Sequence, residues 1–195
     1  QAARVASKVP GLVNFVTQTQ PFATVAKAAM GVSQKRHIPP FASPTLKEWY
    51  AHRPHRNGGG RRVILWADTF TNFFHAEIGI AAVEALEDAG CNVVIPELHL
   101  CCGRPLYDYG MLDLARRYAQ KVVRELREEI RAGTPVVGIE PSCVAVFKDE
   151  LRKLMTFDSA GAPLTNATAR FTTRGSASPS KPFLTSTAAV APSTR

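Results

Sequence analysis

The sequence predicts an α/β fold in which a short parallel sheet lies between layers of helices. Three short apolar runs alternate with longer segments whose apolar residues recur at helical spacing. An alternation of this kind is typical of parallel sheets with right-handed crossovers. With 195 residues, the chain is also long enough to bury one sizeable core.

The first predicted unit is a strand followed by a helix. Residues 61–68 read RRVILWAD, a continuous apolar run bounded by charges, as expected for a strand buried on both faces. Residues 75–90 follow as a helix that ends at Gly90. The apolar residues of this helix fall on one side: Ile78, Ala81, Ala82, Ala85, Leu86 and Ala89.

Two further units repeat this order. A second strand is predicted over 92–96 and a long amphipathic helix over 113–132, with Gly133 as its stop. A third strand over 136–139 then leads into a third helix over 144–155. The predicted fold is therefore a small three-layer, Rossmann-like parallel sheet with flanking helices.

The flanking segments differ from this α/β part in composition. The N-terminal unit, residues 1–60, is predicted to contain short basic amphipathic helices up to about residue 36 and then a linker, within a Pro- and Gly-rich stretch that spans 37–62. The helices are expected either to pack on a neighbouring domain or to lie on a membrane surface. Residues 157–195 are rich in Ser, Thr, Ala and Pro, which predicts a disordered tail. The α/β domain itself is predicted over 61–156.

Charge is spread unevenly along the chain, although the formal net charge is +8. Residues 1–62 carry ten Lys and Arg against one Glu, whereas residues 63–157 carry ten against fourteen Asp and Glu. The basic segment also lacks the interleaved aromatic residues of a base-stacking platform. We therefore expect no nucleic acid as a partner.

The number of cysteines and the first residue suggest the cellular compartment of the protein and whether the sequence is a piece of a longer chain. Four cysteines in a chain of this length are too few for a secreted disulfide scaffold, so a reducing, cytoplasmic compartment is expected. No run of eighteen apolar residues is present, and no membrane-spanning helix is expected. The first residue is Gln, which suggests a piece of a longer protein.

Three cysteines follow the ends of predicted strands. Cys101 and Cys102 precede Gly103 in HLCCGRPLYDYG, and Cys143 stands in EPSCVAVF after the third strand. Ligands of open parallel sheets collect at the carboxyl ends of the strands, so the three thiols should face one pocket. Thiolates select zinc, copper(I) or iron–sulfur clusters, and Gly103 would let the backbone approach a metal closely.

Other polar residues near this edge have two interpretations. Asp68 and Glu140 end predicted strands, where each could serve as a base, a hard ligand or a helix cap. His75 and His99 lie within reach of the pocket as ligands, although a lone histidine is more often a cap or a surface residue. Cys91, at the opposite edge, is interpreted as structural.

At these residues the chain resembles the cysteine-rich CCG domain of iron–sulfur oxidoreductases. That family includes the heterodisulfide reductase B subunit, the iron–sulfur subunits of glycolate oxidase and anaerobic glycerol-3-phosphate dehydrogenase, and lactate-utilisation proteins. Its pattern is a cysteine after the first strand, then CCG, then CxxC. Here 31 residues separate Thr69 from Cys101, and 36 separate Gly103 from Glu140, which fits the family spacing. Thr69 and Glu140 stand where the family has cysteines.

Three segments of the sequence resemble the C-terminal part of large FAD-linked oxidases of D-2-hydroxy acids. They are WADTFTNFFH, CCGRPLYDYGMLD and EPSCVAVFKDEL. The resemblance implies an iron–sulfur electron-transfer domain, of the 4Fe–4S type, in an oxidoreductase of D-lactate or glycolate. It implies that Cys101, Cys102 with Gly103, and Cys143 hold the cluster, and that His75, Glu140 or a residue of a partner domain completes its shell.

The resemblance also implies parts that this chain does not contain. These are a flavin dehydrogenase domain that carries FAD, a ferredoxin-like iron–sulfur domain and a second CCG repeat. The chain is therefore expected to be truncated and inactive in isolation, and to belong to a cytoplasmic protein that associates peripherally with the inner face of the membrane. The alternative hypothesis is a zinc-binding structural or interaction module without redox activity.

Overall fold

The computed structural model describes residues 2–56, 58–151 and 154, and it confirms the predicted α/β fold. Its strands are β1 (Arg61–Trp66), β2 (Cys91–Val94) and β3 (Val136–Gly138). The helices, in chain order, are α1 (Ala2–Ala6), α2 (Pro10–Gln18), α3 (Phe22–Ala29), α4 (Leu46–His52), α5 (Thr69–Phe73), α6 (Ala76–Asp88), α7 (Arg104–Asp108), α8 (Leu112–Glu125), α9 (Arg127–Ala132) and α10 (Pro141–Ala145). A π-helical segment, Val146–Glu150, continues α10.

The sheet is parallel throughout and β1 is its central strand. The order is β2-β1-β3, with Ile64 of β1 paired in register with Val94 on one side and Val136 on the other. Because β1 is hydrogen-bonded on both edges, its carboxyl end is flanked by the carboxyl ends of both neighbours. The segments that follow β1, β2 and β3 therefore meet at one edge of the sheet.

Alternate residues of β1 divide the core into two layers. Val63 and Leu65 pack in a cluster that includes side chains of α4 and α6, whereas Ile64 and Trp66 pack in a cluster that includes α8, α9 and α10. All four side chains are at most 3% exposed. This burial on both faces explains why the strand is a continuous apolar run and not an alternating one.

Part of the segment predicted as a linker is folded against the sheet. Helix α4 begins at Thr45 with a capping box: the Thr45 hydroxyl accepts a hydrogen bond from the Glu48 N–H, and the Glu48 carboxylate accepts one from the Thr45 N–H. The Leu46 side chain is fully buried and packs so closely on Gly79 that a Cβ there would lie 2.3 Å from it. The prediction of a simple linker over 37–62 is therefore wrong around α4.

The N-terminal helix α2 half-buries a polar side chain and leaves large apolar side chains exposed. The Asn14 amide exchanges two hydrogen bonds with the backbone of Phe41, at 2.9 and 2.7 Å. On the outer side of the same helix, Leu12 is 64% exposed and Phe15 is 54% exposed. Helices of an isolated domain normally show the reverse arrangement.

Two predicted helices differ in detail from those observed. The helix predicted over 113–132 is interrupted at Leu126, whose φ and ψ of −97° and 11° separate α8 from α9. The third helix begins at Pro141, earlier than predicted, and passes into the π-helical segment. The predicted tail over 157–195 lies outside the described residues. Across the part of the chain that is described, the helices are too short or too polar to span a membrane.

The packing of α4 gives a stability prediction. Leu46→Ala should lower the free energy of unfolding by about 2–5 kcal/mol, because it leaves a cavity against Gly79. The control Leu12→Ala, at an exposed site, should change it by less than about 0.5 kcal/mol. Urea denaturation followed by tryptophan fluorescence measures both, and equal midpoints for the two variants would contradict the packing of α4.

Candidate metal centre at the carboxyl edge of the sheet

A cavity of about 230 Å³ lies where the segments after the three strands meet. Its walls come from the end of β1, the loop before α7 and the start of α10. The lining residues are Trp66, Asp68, Thr69, Phe70, Leu100, Cys101, Cys102, Arg104, Pro105, Glu140, Ser142 and Cys143. The three thiols therefore share one cavity, as the strand order predicts.

The thiols are in contact with one another. The Cys102 and Cys143 sulfurs are 3.1 Å apart and both side chains are buried. Cys101, which is partly exposed, donates a hydrogen bond to Cys102. The structure thus joins two loops, 41 residues apart in sequence, through sulfur contacts.

These contacts raise the pKa values of the paired thiols. The hydrogen bond that Cys101 donates to Cys102, together with burial, raises the pKa of Cys101 far above its usual range. The same bond lowers the pKa of Cys102, but the hydrogen bond with Cys143 and burial outweigh it and raise this pKa to about 11. Cys101 and Cys102 are therefore protonated near neutral pH in the absence of a metal.

The loop that carries the thiols is shaped by Gly103. This residue adopts the left-handed conformation, with φ of 80°, and caps α7 by accepting hydrogen bonds from the Leu106 and Tyr107 N–H groups. The Gly103 and Arg104 N–H groups in turn donate to the Cys101 and Cys102 sulfurs. A close approach of the backbone to a metal was expected at Gly103; the structure shows that the glycine is required by the turn itself.

Asp68 is a helix cap. One of its oxygens accepts hydrogen bonds from the Phe70 and Thr71 N–H groups, at 2.8 and 3.0 Å, and the other accepts one from the Thr71 hydroxyl. Since both oxygens are engaged and the residue is buried, Asp68 fixes the turn after β1. Thr69, at the position of a family cysteine, contributes to the cavity wall.

Glu140 both caps α10 and lines the cavity. Its Oε1 accepts a hydrogen bond of 3.3 Å from the Ser142 N–H, and the helix it starts carries Cys143. The carboxylate is therefore held beside the thiols. Of the predicted metal ligands, Glu140 is one that would bind through oxygen, and the structure places it in the same cavity as Cys101, Cys102 and Cys143.

The histidines lie elsewhere. The His75 side chain is 51% exposed, and its Nδ1 faces the Glu77 carboxylate at 3.3 Å. His99 packs its ring against Phe73, with centroids 5.4 Å apart, and burial and the nearby Lys47 ammonium lower its pKa. Neither histidine lines the cavity, so the structure does not support His75 as the completing ligand.

Lys47 is a positioning residue that the sequence did not reveal. Its ammonium donates to the carbonyl oxygens of Pro96 and Leu98, each at 2.7 Å, and to that of Glu97 at 3.4 Å. Burial, with repulsion from Arg4, lowers the pKa of Lys47 to about 8. Through these bonds α4 holds the segment that leads to the thiol loop. Lys47 lies in the stretch predicted as a linker, and no motif marks it.

Arg104 closes the thiol loop by ion pairs. Its guanidinium contacts the Asp108 carboxylate at 2.9 Å within α7 and the Glu150 carboxylate at 2.6 Å in the π-helical segment. The second pair links the segments that follow β2 and β3 across the cavity. These contacts close the loop that carries the thiols.

A second cavity, of about 280 Å³, is larger but lacks thiols. It lies beside Ile64 and is bordered by Glu97, Glu125 and Glu129. Glu129 pairs with Arg62 at 2.6 Å, and Glu125 pairs with Arg124 at 3.3 Å. Its acidic groups thus belong largely to surface ion pairs, and the smaller cavity is the better candidate site.

The side chains that line the smaller cavity are of the chemical types that bind a thiophilic metal. They are not, however, arranged at metal-binding distances. Three thiols and two N–H groups that donate to sulfur are the groups that soft metals and clusters use, and the Glu140 carboxylate adds a harder oxygen ligand. Within residues 2–56, 58–151 and 154, however, no three His, Cys, Asp or Glu side chains stand at ligand spacing. Loading a metal would require the thiols to lose protons and move apart.

A comparison with known protein families agrees with this geometry. The sequence model described as "CCG: Cysteine-rich domain" matches residues 69–148, the stretch that contains all three thiols of the cavity. Residues 69–148 are a CCG cysteine-rich domain. Comparison with solved structures gives no significant match.

The similarity to curated proteins covers more of this chain than residues 69–148. One component of the anaerobic glycerol-3-phosphate dehydrogenase of Escherichia coli K12 is 26% identical over 152 residues, or 77% of this chain and 38% of the relative. D-2-hydroxyglutarate dehydrogenase of Pantoea ananatis is 27% identical over 166 residues, 78% of this chain and 16% of the relative. Lactate utilization protein A of Bacillus licheniformis is 33% identical over 88 residues, 45% of this chain and 35% of the relative. The chain thus spans between 16% and 38% of these relatives.

The raised thiol pKa values of the CCG domain predict slow alkylation. In metal-free protein at pH 8, iodoacetamide should label Cys102 at least roughly a hundredfold more slowly than in the urea-unfolded chain, because a pKa of about 11 leaves little thiolate. The rate should rise about tenfold per pH unit between pH 8 and 10. Peptide mass spectrometry measures both, and a rate that does not change over this pH range would contradict the protonated thiol cluster.

Proposed function

We propose that this chain is an iron–sulfur electron-transfer module of a dehydrogenase that oxidises a 2-hydroxy acid. The observation that carries the proposal is the convergence of Cys101, Cys102 and Cys143 on one cavity within a CCG domain. A bound cluster would accept and release single electrons. The chain's own part is to hold it through three thiolates and to keep it from water, since Cys102 and Cys143 are both only 7% exposed.

The substrate class follows from the relatives and not from the cavity. Two of the three relatives are named for lactate and D-2-hydroxyglutarate, both 2-hydroxy acids, and the third is named for glycerol 3-phosphate. Substrate oxidation is assigned to an FAD-bearing domain outside this sequence, and D-lactate and glycolate are the substrates to test. Electrons would then pass through a ferredoxin-like domain and the CCG domain.

The ligand set explains why such a cluster would be labile here. A cubane cluster held by protein takes four cysteines, whereas this site offers three thiols with Thr69 and Glu140 at the remaining family positions. Glu140 is fixed beside the thiols by the N-terminus of α10, so its carboxylate is the group we assign to the fourth position. A carboxylate is a harder ligand than a thiolate and binds iron–sulfur clusters less well.

Anaerobic reconstitution with iron and sulfide tests the cofactor. The chain should acquire visible charge-transfer absorption, and Cys102→Ser should lose it. The control Cys91→Ser should retain it, because Cys91 is buried in the other core layer. Elemental analysis giving one zinc and no acid-labile sulfide would favour the zinc-binding alternative. Protein that stays colourless and iron-free would contradict the proposal.

Replacing Glu140 with the cysteine that the family has at this position tests whether the site lacks a fourth thiolate ligand. Glu140→Cys should increase the iron bound per chain and lengthen the lifetime of the visible absorption in air several-fold, because a fourth thiolate completes the shell. Glu140→Ala, which removes the carboxylate without adding a thiol, should shorten that lifetime. If Glu140→Cys and the unmodified chain lose their absorption at the same rate, Glu140 does not occupy the fourth position.

The outward apolar face of α2 and α3 is where we place the partner domain. Leu12, Phe15 and Phe22 are each about half exposed or more, and no acidic residue precedes Glu48. An apolar face with a basic surround fits an acidic protein surface, and the relatives contain additional chain that could supply it. Peripheral attachment to the cytoplasmic face of the membrane is the alternative; sedimentation with vesicles of anionic phospholipid, abolished by Phe15→Ser, would favour it.

A further inference from the structure

The indole N–H of Trp66 is a buried donor without a partner among the described residues. Trp66 is the last residue of β1, is 2% exposed and lines the thiol cavity. Its Nε1 has no hydrogen-bond acceptor there. Two other buried atoms share this property, Arg53 Nη1 and Glu150 Oε2, but their side chains form ion pairs through other atoms. The Trp66 side chain has a single polar atom, and that atom has no partner in the described part of the chain.

Packing alone does not account for an indole at this position. The ring makes an edge-to-face contact with Phe147, with centroids 4.7 Å apart, and belongs to the apolar cluster beneath the cavity. A phenyl ring would serve that contact equally. A buried N–H that stays unpaired is destabilising because it has lost its hydrogen bond to water, and native structures retain few such groups. The indole is therefore explained best by an acceptor that enters the cavity.

We propose that the Trp66 indole N–H donates a hydrogen bond to a sulfur of the group that Cys101, Cys102 and Cys143 hold. This inference rests on the proposed function. Protonated thiols are weak acceptors, whereas metal-bound thiolate and cluster sulfide are anionic and accept more strongly. The indole would thus be a third N–H donor to sulfur, beside those of Gly103 and Arg104. Trp66 is a positioning and tuning residue that takes no part in bond making.

The expected consequence is a higher reduction potential. Reduction adds negative charge to the cluster, and a hydrogen bond to its sulfur stabilises the reduced state more than the oxidised one. Trp66→Phe removes the N–H and keeps an aromatic ring against Phe147. The reconstituted variant should therefore bind iron to the same level but show a midpoint potential shifted to more negative values. Phe147→Leu changes the ring contact without removing the donor, and its midpoint potential should match that of the unmodified chain.

Indole NMR gives a readout that needs no electron transfer. The chain contains two tryptophans, Trp49 and Trp66, and Trp66→Phe identifies which ¹⁵N-indole signal belongs to which. When diamagnetic zinc is added to the thiols, the Trp66 indole proton should move downfield and exchange more slowly with water. The Trp49 signal should not change, because Trp49 lies on α4 and stacks with Arg53.

The outcomes separate the two proposals. Iron-loaded protein whose potential is the same with and without Trp66, or a zinc-loaded protein whose Trp66 indole signal is unmoved, overturns the hydrogen bond and leaves the iron–sulfur function standing. Failure of the thiols to bind either metal overturns the proposed function and this role with it. A negative shift for Trp66→Phe with none for Phe147→Leu supports both.

Discussion

The hydrogen bonding of β1 on both edges is the constraint on which the rest of this molecule depends. Because β2 and β3 pair with it in parallel, the thiol loop and the start of α10 are brought to the end of the same strand. Because its side chains alternate between two buried layers, α4 and α6 are held on one face and α8 on the other. The cavity is thus a product of the sheet topology.

Much of this arrangement could be predicted from the sequence. Strand β1 was evident because burial on both faces leaves an unbroken apolar run, and α6 and α9 end just before Gly90 and Gly133 as expected. The convergence of Cys101 and Cys143 followed from strand order alone. These features are local patterns or consequences of parallel pairing, which a sequence records directly.

The rest of the fold and of the site depends on contacts between residues far apart in sequence, which no local sequence pattern indicates. Leu46 sits in a short helix within a Pro-rich stretch, and only its packing on Gly79 shows that the stretch is folded. The distance between His75 and the thiols was also beyond sequence reasoning, because position along the chain fixes the helix that carries a residue but not the direction of its side chain. Asp68 was ambiguous for a related reason: capping and catalysis use the same carboxylate, and only its partners distinguish them.

The boundaries of the family match differ from those of the folded unit. The matched stretch begins at Thr69, after β1 has ended, and omits both the central strand and α4. The unit that is recognisable by its cysteines is therefore smaller than the unit that folds. The loops around the thiols lie within the matched stretch, whereas the strand beneath them and the helix whose Lys47 braces them lie outside it. A chain trimmed to residues 69–148 would keep all three thiols of the cavity and lose the framework that brings them together.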